Sequence, residues 1–307
     1  VTAADEIGTG AAVFRCEGAG ERHVETLEIP VRPAMPLATD VECIALKQGE
    51  SVTLAPPADA LPETVAQSLR FHNSFYAQFI PAIEFLLDYP FGCLEQTTSS
   101  AFPLIHAGGT LARFAVSDSC SAEEVEAKVN AAIMRVCSLK DYRGFSLWHD
   151  VGDYDNAVSV YACHFLAEAD KAGHAVPRPV LDANATFLLR LANDAMNEKR
   201  YDLCAYACHV LALSGKPERP VMLTLHDLRD ELAATGRAHL ARAFAVAGDP
   251  VRALEVLEPV EEPGSIEACA FGILAWLEID HPLRDERVAR FFMRLESFKQ
   301  TRGHWAT

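Results

Sequence analysis

The chain has 307 residues, half of them apolar and 23% charged, so it can build a sizeable core and is not an intrinsically disordered sequence. With 27 Lys and Arg against 43 Asp and Glu its formal charge is −16, a surface field that repels phosphate backbones and anionic lipid and argues against a nucleic-acid partner. No run approaches the roughly 18 uncharged apolar residues of a membrane helix, and no basic stretch with an apolar one behind it opens the chain, so no membrane span and no signal peptide are expected in it. The start at Val1 rather than Met reads as an excised piece, so the missing leader carries no information on compartment.

Residues 1–73 form a strand-like segment. Leu27, Ile29 and Val31 alternate with polar neighbours, and Val41 to Leu46 and Ser51 to Leu54 flank the turn Lys47-Gln48-Gly49-Glu50, predicting a hairpin. Six of the 17 prolines fall in the first 62 residues and separate these pieces. The segment is too short for a complete sandwich, and its strands are expected to need partners from outside the chain.

From residue 74 to 307 the strand signal gives way to Ala- and Leu-rich text with a 3.6-residue period, broken by Gly, Pro or Asp. The pattern predicts helices near 75–88, 93–107, 122–138, 155–172, 179–194, 201–214, 220–234, 238–247, 250–257, 264–278 and 285–299. Two of them are copies: YACHFLAEAD at 161–170 matches YACHVLALSG at 206–215, an offset of 45 residues. Such a period of helix pairs marks a mainly α repeat array, an open solenoid or a closed α/α toroid, in which Ala162, Ala167, Ala207 and Ala212 let neighbouring helices approach closely.

The nine cysteines, at 16, 43, 93, 120, 137, 163, 204, 208 and 269, cannot all pair internally, and most sit in apolar helical text as buried thiols would. The dipeptides Cys163-His164 and Cys208-His209 invite a zinc reading, but neighbours on a helix diverge by about 100° and no C-x-x-C or H-x-x-x-H spacing accompanies them. Core packing is the better reading, and no metal site or cofactor is expected. The acidic loop Asp150 to Asn156 departs from the EF-hand pattern and reads as the start of a helix capped near Asp155. Neither a G-x-S-x-G elbow nor a phosphate-cradling glycine loop occurs.

The segment Tyr89-Pro90-Phe91-Gly92-Cys93-Leu94-Glu95-Gln96-Thr97-Thr98-Ser99 stands apart. Pro90 and Gly92 break one helix and the following residues begin another, so Cys93 falls at a helix N-terminus, where free N–H groups and the dipole favour thiolate. Gln96 lies one turn on, within reach of the sulfur; attack on its amide carbon with loss of ammonia would give an internal thioester. A buried Cys beside a surface Gln is the plain alternative.

This string resembles the thioester signature of the bacterial α2-macroglobulin family. The helix around Asn156 to Tyr161, AGHAVP at 172–177, LCAYACHVLALSGKP at 203–217 and GHWAT at 303–307 resemble further landmarks of it. The resemblance implies an α/α-toroid thioester domain over 74–307, left open at its C-terminus, behind a β segment from a neighbouring domain. It further implies a single-turnover protease trap instead of a catalytic enzyme, at the periplasm or cell envelope or secreted, with target proteases and the other macroglobulin-like domains as partners. Cys93 would supply the sulfur and Gln96 the acyl carbon, passed to a lysine amine of the protease. Tyr89, Phe91 and Leu94 could shield the bond, and Glu95 belongs to the motif without an evident role.

Complement relatives use a histidine ahead of a later helix to form an acyl-imidazole. The matching stretch here, Leu191 to Asp202, has none, and Asn193 or Asn197 falls at that place as a candidate modulator of transfer. Direct transfer to amines in preference to hydroxyls follows. Two other functions fit a helical array: a metal-dependent toroid enzyme and a binding module without chemistry.

Overall fold

In the computed structural model, residues 7–32, 42, 44, 46–56, 58, 60, 61, 64–73, 92–113, 121–149 and 152–298 are described. Tyr89, Pro90, Phe91 and the helix expected over 75–88 lie outside them. The chain divides into two compact units, Val1–Glu42 and Cys43–Thr307.

In the first unit β1 (Gly8–Gly18) pairs antiparallel with β2 (Glu21–Val31), in a register running from Gly8 opposite Val31 to Gly18 opposite Glu21. Ala19 and Gly20, with φ of 52° and 84°, form the two-residue turn whose positive φ values match the twist of the strands it joins. Reading the sequence caught β2 and missed β1, whose three glycines and adjacent Val13 and Phe14 give no alternation. Val13, Phe14, Val24, Leu27 and Ile29 are all about half exposed, as a lone pair of strands must leave them.

In the second unit the turn at Lys47–Glu50 forms, with Glu50 N–H donating to the Lys47 carbonyl (3.0 Å) and Lys47 N–H to the Glu50 carboxylate (3.0 Å). Of the hairpin expected around it, Val41, Cys43 and Ala45 lie outside the described residues; the described residues on either side carry no ladder, and Pro56 limits the second arm to five residues. Ten α-helices follow among the described residues: α1 (Leu94–Arg113), α2 (Ala122–Ser138), α3 (Asn156–Lys171), α4 (Arg178–Asn197), α5 (Tyr201–Leu213), α6 (Arg219–Asp227), α7 (Ala234–Val246), α8 (Pro250–Leu257), α9 (Ile266–Glu278) and α10 (Arg284–Ser297). Caps set several starts. Ser121 and Glu124 close a capping box on α2, and Asp155 accepts from Val158 N–H (2.8 Å) to begin α3, the role read for that acidic loop. The single helix expected over 220–234 is instead α6, a 3₁₀ turn at Arg229–Glu231 and the start of α7. Asp202 accepts from the N–H of Ala233 (3.0 Å), the residue that precedes α7, and so satisfies a backbone donor at the start of that helix.

The helices alternate between two layers. α1, α3, α5, α7 and α9 pack one against the next as an inner row, while α2 lies on α1, α4 on α3 and α5, α6 on α5 and α7, α8 on α7, and α10 on α9. This is the α/α-toroid arrangement of a mainly α protein, and Ala162, Ala167, Ala207 and Ala212 are buried at its helix contacts. The row curls: His164 of α3 meets Phe102 of α1 (ring centroids 4.9 Å) and also Phe271 of α9 (6.2 Å). Between them Tyr206 and His209 of α5 and His239 of α7 fill the centre, Tyr206 stacking on His239 at 4.0 Å. The duplicated YACH strings are therefore inner helices that send their histidines inward.

Candidate functional site around Cys93 and Gln96

Cys93 is the residue before α1, so Leu94, Glu95 and Gln96 are its first three helical positions. Gln96 N–H donates to the Cys93 sulfur (3.4 Å), and Cys93 N–H donates to Gln96 Oε1 (3.4 Å). This is the reciprocal pairing of a capping box, with Cys where Ser or Thr usually stands and Gln at the third helical position. A helix start that must satisfy its orphan N–H groups thus brings a sulfur and an amide carbonyl together. The remaining ties fix the helix. Leu94 N–H donates to the Leu147 carbonyl (3.0 Å) in the loop after α2, and the Leu94 side chain is fully buried, consistent with a packing role.

Glu95 is exposed and accepts from Ser99 Oγ (3.4 Å) one turn on. Ser99 in turn lies beside the Tyr161 hydroxyl of α3, whose ring stacks on Phe102 of α1 at 5.5 Å. Burial, with Glu95 nearby, pushes the Tyr161 phenol up against the opposing effect of Ser99, so it stays protonated. Glu95 therefore belongs to a polar clasp between α1 and α3, a link invisible in the motif because its far end lies more than sixty residues along the chain.

Cys93 is partly exposed, whereas Cys163, Cys204, Cys208 and Cys269 are buried. Burial pushes the Cys163 thiol up to about 12 and raises Cys137 and Cys269 as well, so these thiols resist ionisation. Asn193 and Asn197 are exposed near the end of α4, on the outer row, and the Asn193 amide is engaged with the Leu189 carbonyl of its own helix (2.8 Å). No hydrogen bond among the described residues brings either to Cys93 or Gln96.

The inner ring holds a second group of polar side chains. His164 Nδ1 lies 3.1 Å from the Tyr206 hydroxyl, and His209 Nδ1 lies 3.1 Å from His239 Nδ1. Arg242 joins buried Glu168 (3.3 Å) to Glu278 (3.6 Å). Burial would raise the Glu168 carboxyl, but His164, Arg242 and Lys171 outweigh it and hold it at about 2. Desolvation lowers all three histidines, with Arg242 reinforcing the effect. Among the described residues no group of three or more His, Cys, Asp or Glu is arranged to hold a metal ion, and Cys163 and His164 point to different surroundings, one near Lys140 and the other into the ring. No described helix is long and apolar enough to cross a membrane.

No protein-family model matches the sequence. A relative does: the α2-macroglobulin of Escherichia coli K12 is 30% identical over 247 residues, which are 75% of this chain and 15% of that protein. The chain belongs to the α2-macroglobulin family. The Xylella fastidiosa (Temecula1) member is 25% identical over 259 residues, 80% of this chain and 16% of its own length. The chain thus spans about a sixth of the curated relatives it matches. Two family structures share the fold. Native E. coli α2-macroglobulin from domain MG7 to the C-terminus aligns with a TM-score of 0.65 at 22% identity, over 98% of this chain and 52% of that one. Salmonella α2-macroglobulin reacted with methylamine aligns at 0.68 and 23% identity, over 95% and 21%.

Proposed function

We propose that residues 74–307 are the thioester domain of a protease-trapping inhibitor, in which Cys93 and Gln96 close an internal thioester that acylates a lysine amine of an attacking protease. The carrying observation is the reciprocal pair of hydrogen bonds that holds the Cys93 sulfur and the Gln96 carbonyl on one helical turn. Family membership supports the reading, as do relatives described as reacted with methylamine (Salmonella) and as activated by porcine elastase or trypsin (E. coli).

In the transfer, the amine nitrogen adds to Gln96 Cδ, the carbon–sulfur bond breaks, and the amine loses a proton. Cys93 leaves as a thiolate that Gln96 N–H and the free N-terminal groups of α1 solvate. The product is an isopeptide between Gln96 and the lysine, and the group is spent after one turnover. Target proteases and the remaining macroglobulin-like domains are the partners on this reading, at the periplasm or cell envelope. Asn193 and Asn197 supply no imidazole, so amines are preferred over hydroxyls.

Incubating the 307-residue chain with a fluorescent primary amine tests the proposal. Label is expected on the peptide containing Gln96, none with glycerol at equal concentration, and none after Cys93→Ala. Equal labelling by glycerol overturns the amine preference, and labelling that survives Cys93→Ala overturns the thioester.

A further inference from the structure

We infer that the capping box itself is the catalyst of thioester closure, with the Cys93 backbone N–H serving as the oxyanion donor for the Gln96 amide. The inference rests on the thioester reading above and assigns its closing step to named atoms.

Closure requires the Cys93 sulfur to add to Gln96 Cδ, placing negative charge on Oε1; collapse then breaks the carbon–nitrogen bond and releases Nε2 as ammonia, which leaves with the proton from the thiol. Each charge that develops already has a donor. Cys93 N–H points at Oε1 (3.4 Å), where the oxyanion forms, and Gln96 N–H points at the sulfur (3.4 Å). The two residues activate each other: the backbone of the nucleophile holds the electrophile's oxygen, and the backbone of the electrophile holds the nucleophile's sulfur. Preorganised N–H groups of this kind supply large rate factors because they need no reorganisation as charge appears.

The bond from Cys93 N–H depends on Gln at the third helical position, whereas the bond to the sulfur is donated by the backbone N–H of that position. One residue further on, a glutamine would still share a helix face with Cys93, since i and i+4 are neighbours, but it would lie outside the capping box and could not return to the Cys93 N–H. Leu94 and Glu95, between the two reacting residues, support this geometry. Leu94 N–H is tied to the Leu147 carbonyl, and Glu95 accepts from Ser99, which lies beside Tyr161 of α3, so the first turn is held while the box stays free to react.

The test compares the parent chain with Gln96→Glu/Thr97→Gln. The first substitution keeps the capping box and the helix, since a glutamate carboxylate accepts from the Cys93 N–H as the amide did, while the second moves the glutamine to the i+4 site. Parent chain opened with ammonia carries a free Cys93 and an intact Gln96; after the ammonia is removed, re-closure is followed as loss of one ammonia by intact mass, and the variant's closure is followed in the same way. The variant is expected to close about 10²- to 10³-fold more slowly than the parent, the usual effect of losing one oxyanion donor. Closure at the parent's rate means that helical proximity alone suffices and overturns the inference. Gln96→Ala/Thr97→Gln repeats the comparison with the N–H unoccupied, so a folding defect in one variant, read by circular dichroism, leaves the other decisive. A parent chain that never loses ammonia overturns the thioester reading and this inference together.

Discussion

Cys93 and Gln96 meet because a helix start must satisfy its own N–H groups, and that local demand was legible in the sequence as a C-x-x-Q spacing behind Pro90 and Gly92. What spacing could not supply was the direction of the two side chains, each turned back onto the other's backbone. On the proposed function a structural and a chemical role are superimposed on one pair and can be separated by substitution. Cys93→Ser keeps an N-cap and improves it, since a hydroxyl is a better acceptor than sulfur; stability should hold or rise by up to about 1 kcal/mol while amine labelling disappears. Urea unfolding and labelling on the same sample check this, and a destabilised Cys93→Ser chain would mean that the sulfur packs in a way the hydrogen bonds do not describe. Glu95 was opaque for a different reason. Its partners are Ser99 on its own helix and, through it, Tyr161 on another, and only the packed α1–α3 pair brings them together.

At the scale of elements, ten of the eleven expected helices fall within the described residues and nearly all match, because each carries both a 3.6-residue apolar period and a break at its end. The exception, 220–234, is divided before α7, whose start is held by an Asp202 contact from 31 residues upstream. The inner-ring histidines were half legible. His164 and His209 stood out as copies, but His239, only 30 residues past His209, breaks the 45-residue period and lacks the YACH string.

Those three buried histidines make a stability prediction with a definite sign. Their folded pKa values lie below the unfolded value, so their neutral forms stabilise the fold fully above about pH 6.5, and the contribution is lost as pH falls below it. His209 and His239, both held well below the usual imidazole range, take up two protons on unfolding and give a slope approaching about 3 kcal/mol per pH unit in that window, to which His164 adds, measurable by urea unfolding between about pH 7 and 5. Glu168, held at about 2, loses its stabilising effect only in more acid solution. His239→Gln should flatten the slope by one proton, and an unchanged slope would place the titration elsewhere. Packing between layers offers another test. A Cβ at Gly272 of α9 would collide with the Phe291 ring of α10, so Gly272→Ala should cost about 1–3 kcal/mol by overpacking and lower the thermal midpoint.

For the molecule as a whole, acidity and an odd cysteine count excluded nucleic acid and a complete disulfide scaffold without naming an activity. The helical unit places its interior polar groups in a ring and the partly exposed Cys93 at the start of α1, the first inner helix among the described residues. The hairpin of the first unit was the least legible part, since glycine-rich β1 carries no pattern and is recognised only by pairing with β2. The central claim is that this chain stores an acyl group between Cys93 and Gln96. Intact mass with thiol titration, before and after methylamine, addresses it directly. The expected chain is lighter than its sequence by one ammonia, and methylamine adds to it while releasing one thiol that maps to Cys93. A mass equal to the sequence, with Cys93 titrating freely from the outset and no change on methylamine, would contradict it.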